Sequence, residues 1–136
     1  MKAVLDPNVL VSAAISPRGV PAQIVGAWAD GRFELVISPA VVDELRDVLQ
    51  RPSLRRWITA EESVEYVDGL EDDADFVADP PEVPVVSRDP DDDYLIALAR
   101  SADADYIVSG DQDLTSLVDL QPPVLTPRAF LRLLIN

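Results

Sequence analysis

The chain has 136 residues, 48% of them apolar, and a formal net charge of −14. That length fits one compact domain over residues 1–136, and the apolar content suits a packed core and excludes a disordered chain. With neither cysteine nor histidine, disulfides, thiolate metal sites, Ser-His-Asp triads and most catalytic zinc sites are excluded, and any metal must be held by oxygen.

In chain order, "KAVLD" predicts a short buried strand ending at Asp6, and "NVLVSAAIS" a helix that stops before Pro17. "VPAQIVGAWADG" predicts a second helix, with Pro21 at its start and Gly31 past its end. "FELVIS" is a second strand. "SPAVVDELRDVLQRP" is a helix with Ser38 as N-cap, Pro39 in the first turn and Pro52 beyond the end. "TAEESVEYVDGLEDDADFV" opens a helix at Thr59, with Glu62 completing a capping box. The proline-rich residues 79–86 predict a loop leading to a short strand. Asp89-Pro90 opens the helix of "DPDDDYLIALA", "DYIVS" is a third main strand, and "PVLTPRAFLRLL" is a strand followed by a helix capped by Thr126. Strands that alternate with helices predict an α/β domain with a mainly parallel sheet.

Ligands of such sheets sit beyond the carboxyl ends of the strands. Asp6 closes the first strand and Asp111 follows the third, so strand direction alone places both there. Glu44 shares a helical stripe with Val41 and Val48, and Asp93 shares one with Ile96, Ala97 and Arg100. Asp91 and Asp92 fall elsewhere on the first turn, where acids complement the helix dipole. Each acid also has a plain reading: a solvated stripe edge for Glu44, a first-turn acid for Asp93, a turn cap for Asp111. Their conjunction is more specific. Four carboxylates brought together repel unless a cation is shared, and with no nitrogen or sulfur ligand to hand the cation is a hard one, Mg²⁺ or Mn²⁺.

The segments "VLDPNVLVSA", "SPAVVDELRDVL", "RDPDDDYLIALA", "ADYIVSGDQDL" and "VLTPRAFL", in that order, resemble the PIN-domain family over essentially the whole chain. The likeness is greatest to the bacterial and archaeal members classed as toxins of toxin–antitoxin pairs. The resemblance implies a three-layer α/β/α sandwich with a parallel central sheet. It also implies a ribonuclease acting on single-stranded or structured RNA with Mg²⁺ or Mn²⁺, a homodimer, and a cognate antitoxin as partner. Motif by motif it assigns the metal-binding and catalytic acids to Asp6, Glu44, Asp93 and Asp111, with Asp113 as helper or substitute for Asp111. Asn8 then matches a residue that orients the site, and Ser109 a small hydroxyl position. Arg18 and the arginines at 46, 51, 55 and 56 are candidates for gripping RNA. One departure is Asp6-Pro7-Asn8 where many relatives have Asp-Thr-Asn; Pro7 removes a hydroxyl and an N–H near the metal. If the acids do not act on RNA, the alternative is a protein-binding module for a basic antitoxin segment. The early Asp6, and the lack of any stretch of about 20 apolar residues, predict a cytoplasmic protein with no membrane span.

Overall fold

The computed structural model describes residues 1–135. Among these, five strands form one parallel sheet: β1 (Lys2–Leu5), β2 (Glu34–Ile37), β3 (Asp75–Phe76), β4 (Tyr106–Val108) and β5 (Val124–Leu125), in the order β3-β2-β1-β4-β5. The helices are α1 (Pro7–Ile15), α2 (Val20–Ala29), α3 (Pro39–Leu49), α4 (Ala60–Asp73), α5 (Pro90–Ser101), α6 (Gln112–Thr115) and α7 (Pro127–Ile135), with a single 3₁₀ turn at Pro52–Leu54. This is the expected α/β class with a parallel sheet flanked by helices.

The central strands read as unbroken apolar runs because both faces of a parallel sheet are covered. Ala3, Val4, Leu5, Leu35, Val36, Ile37, Ile107 and Val108 are all buried. Helices α1, α2, α3, α4 and α7 form a run of packed neighbours, and α5 packs on β1 and β4. Right-handed crossovers put α1 to α4 on one face and α5 on the other, because the chain turns back across the sheet between β3 and β4. The switch point of the sheet therefore lies between β1 and β4, where a crevice opens at the strand ends.

One expectation is corrected here. Residues 79–86 contain no strand; the short strand is Asp75–Phe76, inside the segment predicted to be helical through residue 77. The helix ends at Asp73, and Asp75 and Phe76 pair with Val36 and Ile37. Pairing with a strand 39 residues earlier in the chain is invisible to local periodicity. The capping box of α4 is present as expected: Glu62 N–H donates to Thr59 Oγ1, and Thr59 N–H donates to Glu62 Oε1, both at 3.0 Å. Gly31 closes α2 at φ 80°, with its N–H on the Trp28 carbonyl and the Arg32 N–H on the Ala27 carbonyl. A side chain is strained in that conformation. Gly31→Ala is expected to cost about 1 kcal/mol, read as a lower urea midpoint with an unchanged slope.

Candidate active site

Asp6, Asp89 and Asp111 are each the N-cap of a helix: α1, α5 and α6. In every case one carboxylate oxygen accepts from the amide two residues on. Asn8 N–H donates to Asp6 at 3.0 Å, Asp91 N–H to Asp89 at 2.9 Å and Asp113 N–H to Asp111 at 2.9 Å. The cap bond fixes each side chain at the edge of the crevice through one oxygen. Pro7 sits at the first helical position, where an N–H would have no intrahelical partner, so its missing donor leaves the cap of α1 intact.

The strand register couples two of these acids. Leu5 lies beside Val108, so Asp6 lies beside Ser109, and the Asp6 N–H donates to the Val108 carbonyl at 2.8 Å. Buried Ser109 donates its hydroxyl to Asp6 Oδ2 at 2.9 Å and accepts from the Asp111 N–H at 3.0 Å. One hydroxyl thus ties the end of β1 to the turn after β4, the role of a small hydroxyl expected at that position.

The crevice is a cavity of about 400 Å³ lined by Asp6, Pro7, Asn8, Glu44, Asp89, Asp91, Asp92, Tyr94 and Asp111, with Ala40, Val41 and Leu95 beneath. Oxygens of Asp89, Asp92 and Asp111 lie within 4.8 Å of one another. Of the acids predicted from the sequence, Asp6, Glu44 and Asp111 line this space, and Asp93 does not. Asp113 borders an adjoining cavity instead. Arg18 lies in the turn past the far end of α1, roughly 13 Å along the helix from Asp6.

Asp93 is corrected by its bonding, since Asp92 and Asp93 are equally buried, at 4% exposure each. Asp93 Oδ1 accepts from the Val86 N–H at 3.0 Å, the Ser87 N–H at 2.7 Å and the Ser87 hydroxyl at 2.8 Å. These donors, led by the Val86 amide, hold its carboxyl below its usual pKa. The stripe Asp93, Ile96, Ala97 and Arg100 faces the proline-rich loop, alongside Pro80, Pro81 and Pro84. Asp93 fastens that loop, and Asp92 takes the place in the crevice.

Asp92 carries the clearest electrostatic signature. Among the described residues no hydrogen bond stabilises its carboxylate, and burial first, then the nearby charges of Asp111, Asp89, Asp6 and Asp113, push its pKa up to about 6. Glu44, on the α3 side, is raised by burial and by Asp91 and Asp6, with Arg51 opposing. Like charges gathered so closely are the condition a shared cation relieves. The donor set is all oxygen, which fits a hard divalent cation.

The rim is set by a second network. Ser38 occupies the expected N-cap position of α3 but makes no cap bond; its Oγ lies 2.6 Å from the Tyr94 hydroxyl. Tyr94 in turn donates to Asp79 Oδ1 at 2.5 Å, and the same oxygen accepts from the Ala40 N–H. The segment leaving β3 is thereby pinned against the starts of α3 and α5. Burial and the Asp79 bond raise the Tyr94 phenol to about 12.

The arginine cluster makes contacts within the chain. Arg46 bonds Asp68 at 2.7 Å and Glu71 at 3.1 Å, joining α3 to α4, and Arg55 donates to the Leu49 and Ile58 carbonyls, closing the 3₁₀ turn. Arg51 pairs with Asp47, and Arg56 stacks over Trp57, which is 54% exposed; Trp28 packs against the core. Arg46 and Arg55 are structural cross-links, occupied within the chain.

The family model described as "PIN domain" matches residues 2–113. The chain is 30% identical over 119 residues to the uncharacterized protein MJ1680 of Methanocaldococcus jannaschii, covering 88% of this chain and 76% of that one. It superposes with a TM-score of 0.63 on a chain of the crystal structure of VapBC2 from Rickettsia felis bound to a DNA fragment from their promoter. That alignment covers 93% of this chain and 98% of the other, and at 13% identity the likeness is one of fold. A match that runs from the first strand to the acid-capped helix after the fourth, on this sheet order, makes the chain a member of the PIN-domain family.

Proposed function

We propose that this protein is a divalent-metal-dependent ribonuclease that hydrolyses phosphodiester bonds in single-stranded or structured RNA, and that it is the toxin of a toxin–antitoxin pair. The observation that carries the reading is the convergence of Asp89, Asp92 and Asp111 on one small volume beside Asp6 and Glu44. Asp89, Asp92 and Asp111 would hold Mg²⁺ or Mn²⁺, with Asp6 and Glu44 completing the ring. When bound, the ion supplies a water of lowered pKa and positive charge for the scissile phosphate. The chain's own part is preorganisation. The helix caps and Ser109 fix carboxylates that would otherwise repel, and the helix N-termini offset part of their charge. Water attack in line with the leaving 3′ oxygen yields 5′-phosphate and 3′-hydroxyl ends. A homodimer, a cytoplasmic location and a cognate antitoxin belong to the same proposal; no helix among the described residues is long and apolar enough to cross a membrane.

The acid-rich crevice supports a second reading, a binding module that holds a basic antitoxin segment. Calorimetry with Mn²⁺ and cleavage of single-stranded RNA in Mn²⁺ or EDTA separate the two. A ribonuclease binds Mn²⁺, loses at least about tenfold in affinity on Asp111→Asn, and cleaves only with metal. Absence of both Mn²⁺ binding at millimolar concentration and cleavage selects the binding module.

A further inference from the structure

Asp89 and Asp92 line two spaces. One is the crevice just described; the other is an adjoining cavity of about 430 Å³ also bounded by Ser87, Arg88, Asp113 and Ser116. Among the described residues six carboxylates line the first, Asp113 adds a seventh in the second, and Arg88 is the one basic residue lining either.

Among the described residues Arg88, Arg18, Arg56, Arg128 and Arg132 make no ion pair or side-chain hydrogen bond, and of these Arg88 alone lines the acidic cavities. Arg46 and Arg51 are in ion pairs, and Arg32, Arg55 and Arg100 donate to backbone carbonyls. Among the described residues the Arg88 guanidinium has no ion pair and no hydrogen bond, although Asp89 is its neighbour in the chain and Asp92 and Asp113 line the same cavity. Its backbone is nevertheless held. Ser87 is tied to Asp93 through both its N–H and its hydroxyl, and the Asp89 N–H donates to Ser87 Oγ at 3.2 Å. A fixed loop therefore presents a free guanidinium at the wall of a cavity that adjoins the acid triad.

We propose that Arg88 grips a phosphate of the RNA strand next to the one cleaved, so that the strand lies across the triad with one flank in each cavity. This rests on the ribonuclease reading. The charge of a bound cation serves the scissile phosphate, whereas the neighbouring phosphate, entering a wall of carboxylates, has Arg88 as its one cationic partner from the chain. The planar guanidinium suits two phosphate oxygens at once. Arg88 is a positioning residue here, acting on the strand and not on the reacting atoms.

The test is the kinetics of Arg88→Ala and Arg88→Lys on a fluorescein-labelled single-stranded RNA in Mn²⁺ over a range of salt. Arg88→Ala should raise KM about tenfold with kcat little changed. The log–log salt dependence of kcat/KM should become shallower by about 0.7, the value for one phosphate contact on a single strand. Arg88→Lys, which keeps the charge but not the fork, should restore the salt slope and only part of the KM, and the melting temperature should not move. Arg128→Ala, on exposed α7 surface, should match wild type throughout. Active wild type with Arg88→Ala unchanged in KM and salt slope overturns the phosphate site alone. Wild type that neither binds nor cleaves the RNA overturns the ribonuclease reading, and the phosphate site with it.

Discussion

Asp92→Asn is expected to reduce Mn²⁺-dependent RNA cleavage on the order of a hundredfold or more, and Asp93→Asn to leave kcat near wild type while lowering the melting temperature. The two residues are adjacent, equally buried and alike in chemistry, so the contrast isolates geometry. Asp92 stands within 4.8 Å of Asp89 and Asp111 oxygens, with no donor among the described residues to satisfy its charge. On the proposed reading, losing that charge removes a metal ligand, and even outer-shell partners of metal ligands cost about 10–100-fold when mutated. Asp93 spends one oxygen on three donors from Val86 and Ser87, so its replacement loosens the loop ahead of α5. Because that loop carries Arg88 and Asp89, Asp93→Asn should also raise KM modestly. Steady-state kinetics with thermal unfolding on the same samples gives both readouts. Equal and large losses of kcat in both variants at unchanged melting temperatures would mean the assignment of the two aspartates is mistaken.

The confusion between Asp92 and Asp93 shows where sequence reading stops. A stripe of apolar residues marks the buried face of a helix when one face is buried. On α5 Asp92, Asp93 and Leu95 to Ala99 are all buried, since the sheet covers one side and the proline-rich loop another. Periodicity then cannot say which side looks onto the crevice. Asp89 was visible only as a cap, because nothing local distinguishes a cap that faces solvent from one at the edge of a sheet. Asp6 and Asp111 were legible through topology: strand direction and the position of an acid after a strand end place them without any knowledge of side-chain contacts. Glu44 was legible through its stripe, because α3 shows its apolar residues on one side only. The arginines at 46 and 55 looked free because their partners lie in α4 and in backbone carbonyls, and pairing of that kind leaves no local pattern. The capping box of α4 and the two long strands needed nothing beyond their own residues, so they could be predicted, whereas Ser38 spends its hydroxyl on Tyr94 and β3 exists through its pairing with β2.

Metal-free protein is expected to lose stability as pH rises through the range in which most proteins hold theirs. The Asp92 carboxyl is raised to about 6 in the folded state by burial and by Asp111, Asp89, Asp6 and Asp113. A raised folded pKa means that the folded state keeps a proton the unfolded chain has released. Its contribution is therefore complete below the unfolded value of about 3.9 and is lost as pH climbs through about 6. A shift of roughly two units corresponds to about 3 kcal/mol at full strength; water in the open crevice screens the repulsion, and a loss of about 2 kcal/mol is expected. Glu44, also raised, acts in the same direction. Asp93 and Asp79 are lowered, so their contributions are present above the usual carboxylate range and fail only as pH falls below it. The two windows are separate, and the metal-free optimum should lie on the acidic side of neutrality, near pH 4 to 5. Urea unfolding in EDTA should show the decline in wild type and its near absence in Asp92→Asn, which near neutral pH should be the more stable of the two. Millimolar Mn²⁺ should reverse that ranking by binding the folded state of wild type. A wild type whose stability in EDTA rises steadily from pH 4 to pH 7 would show that the carboxylates of the crevice do not repel one another, and the case for a shared cation would lose its physical basis.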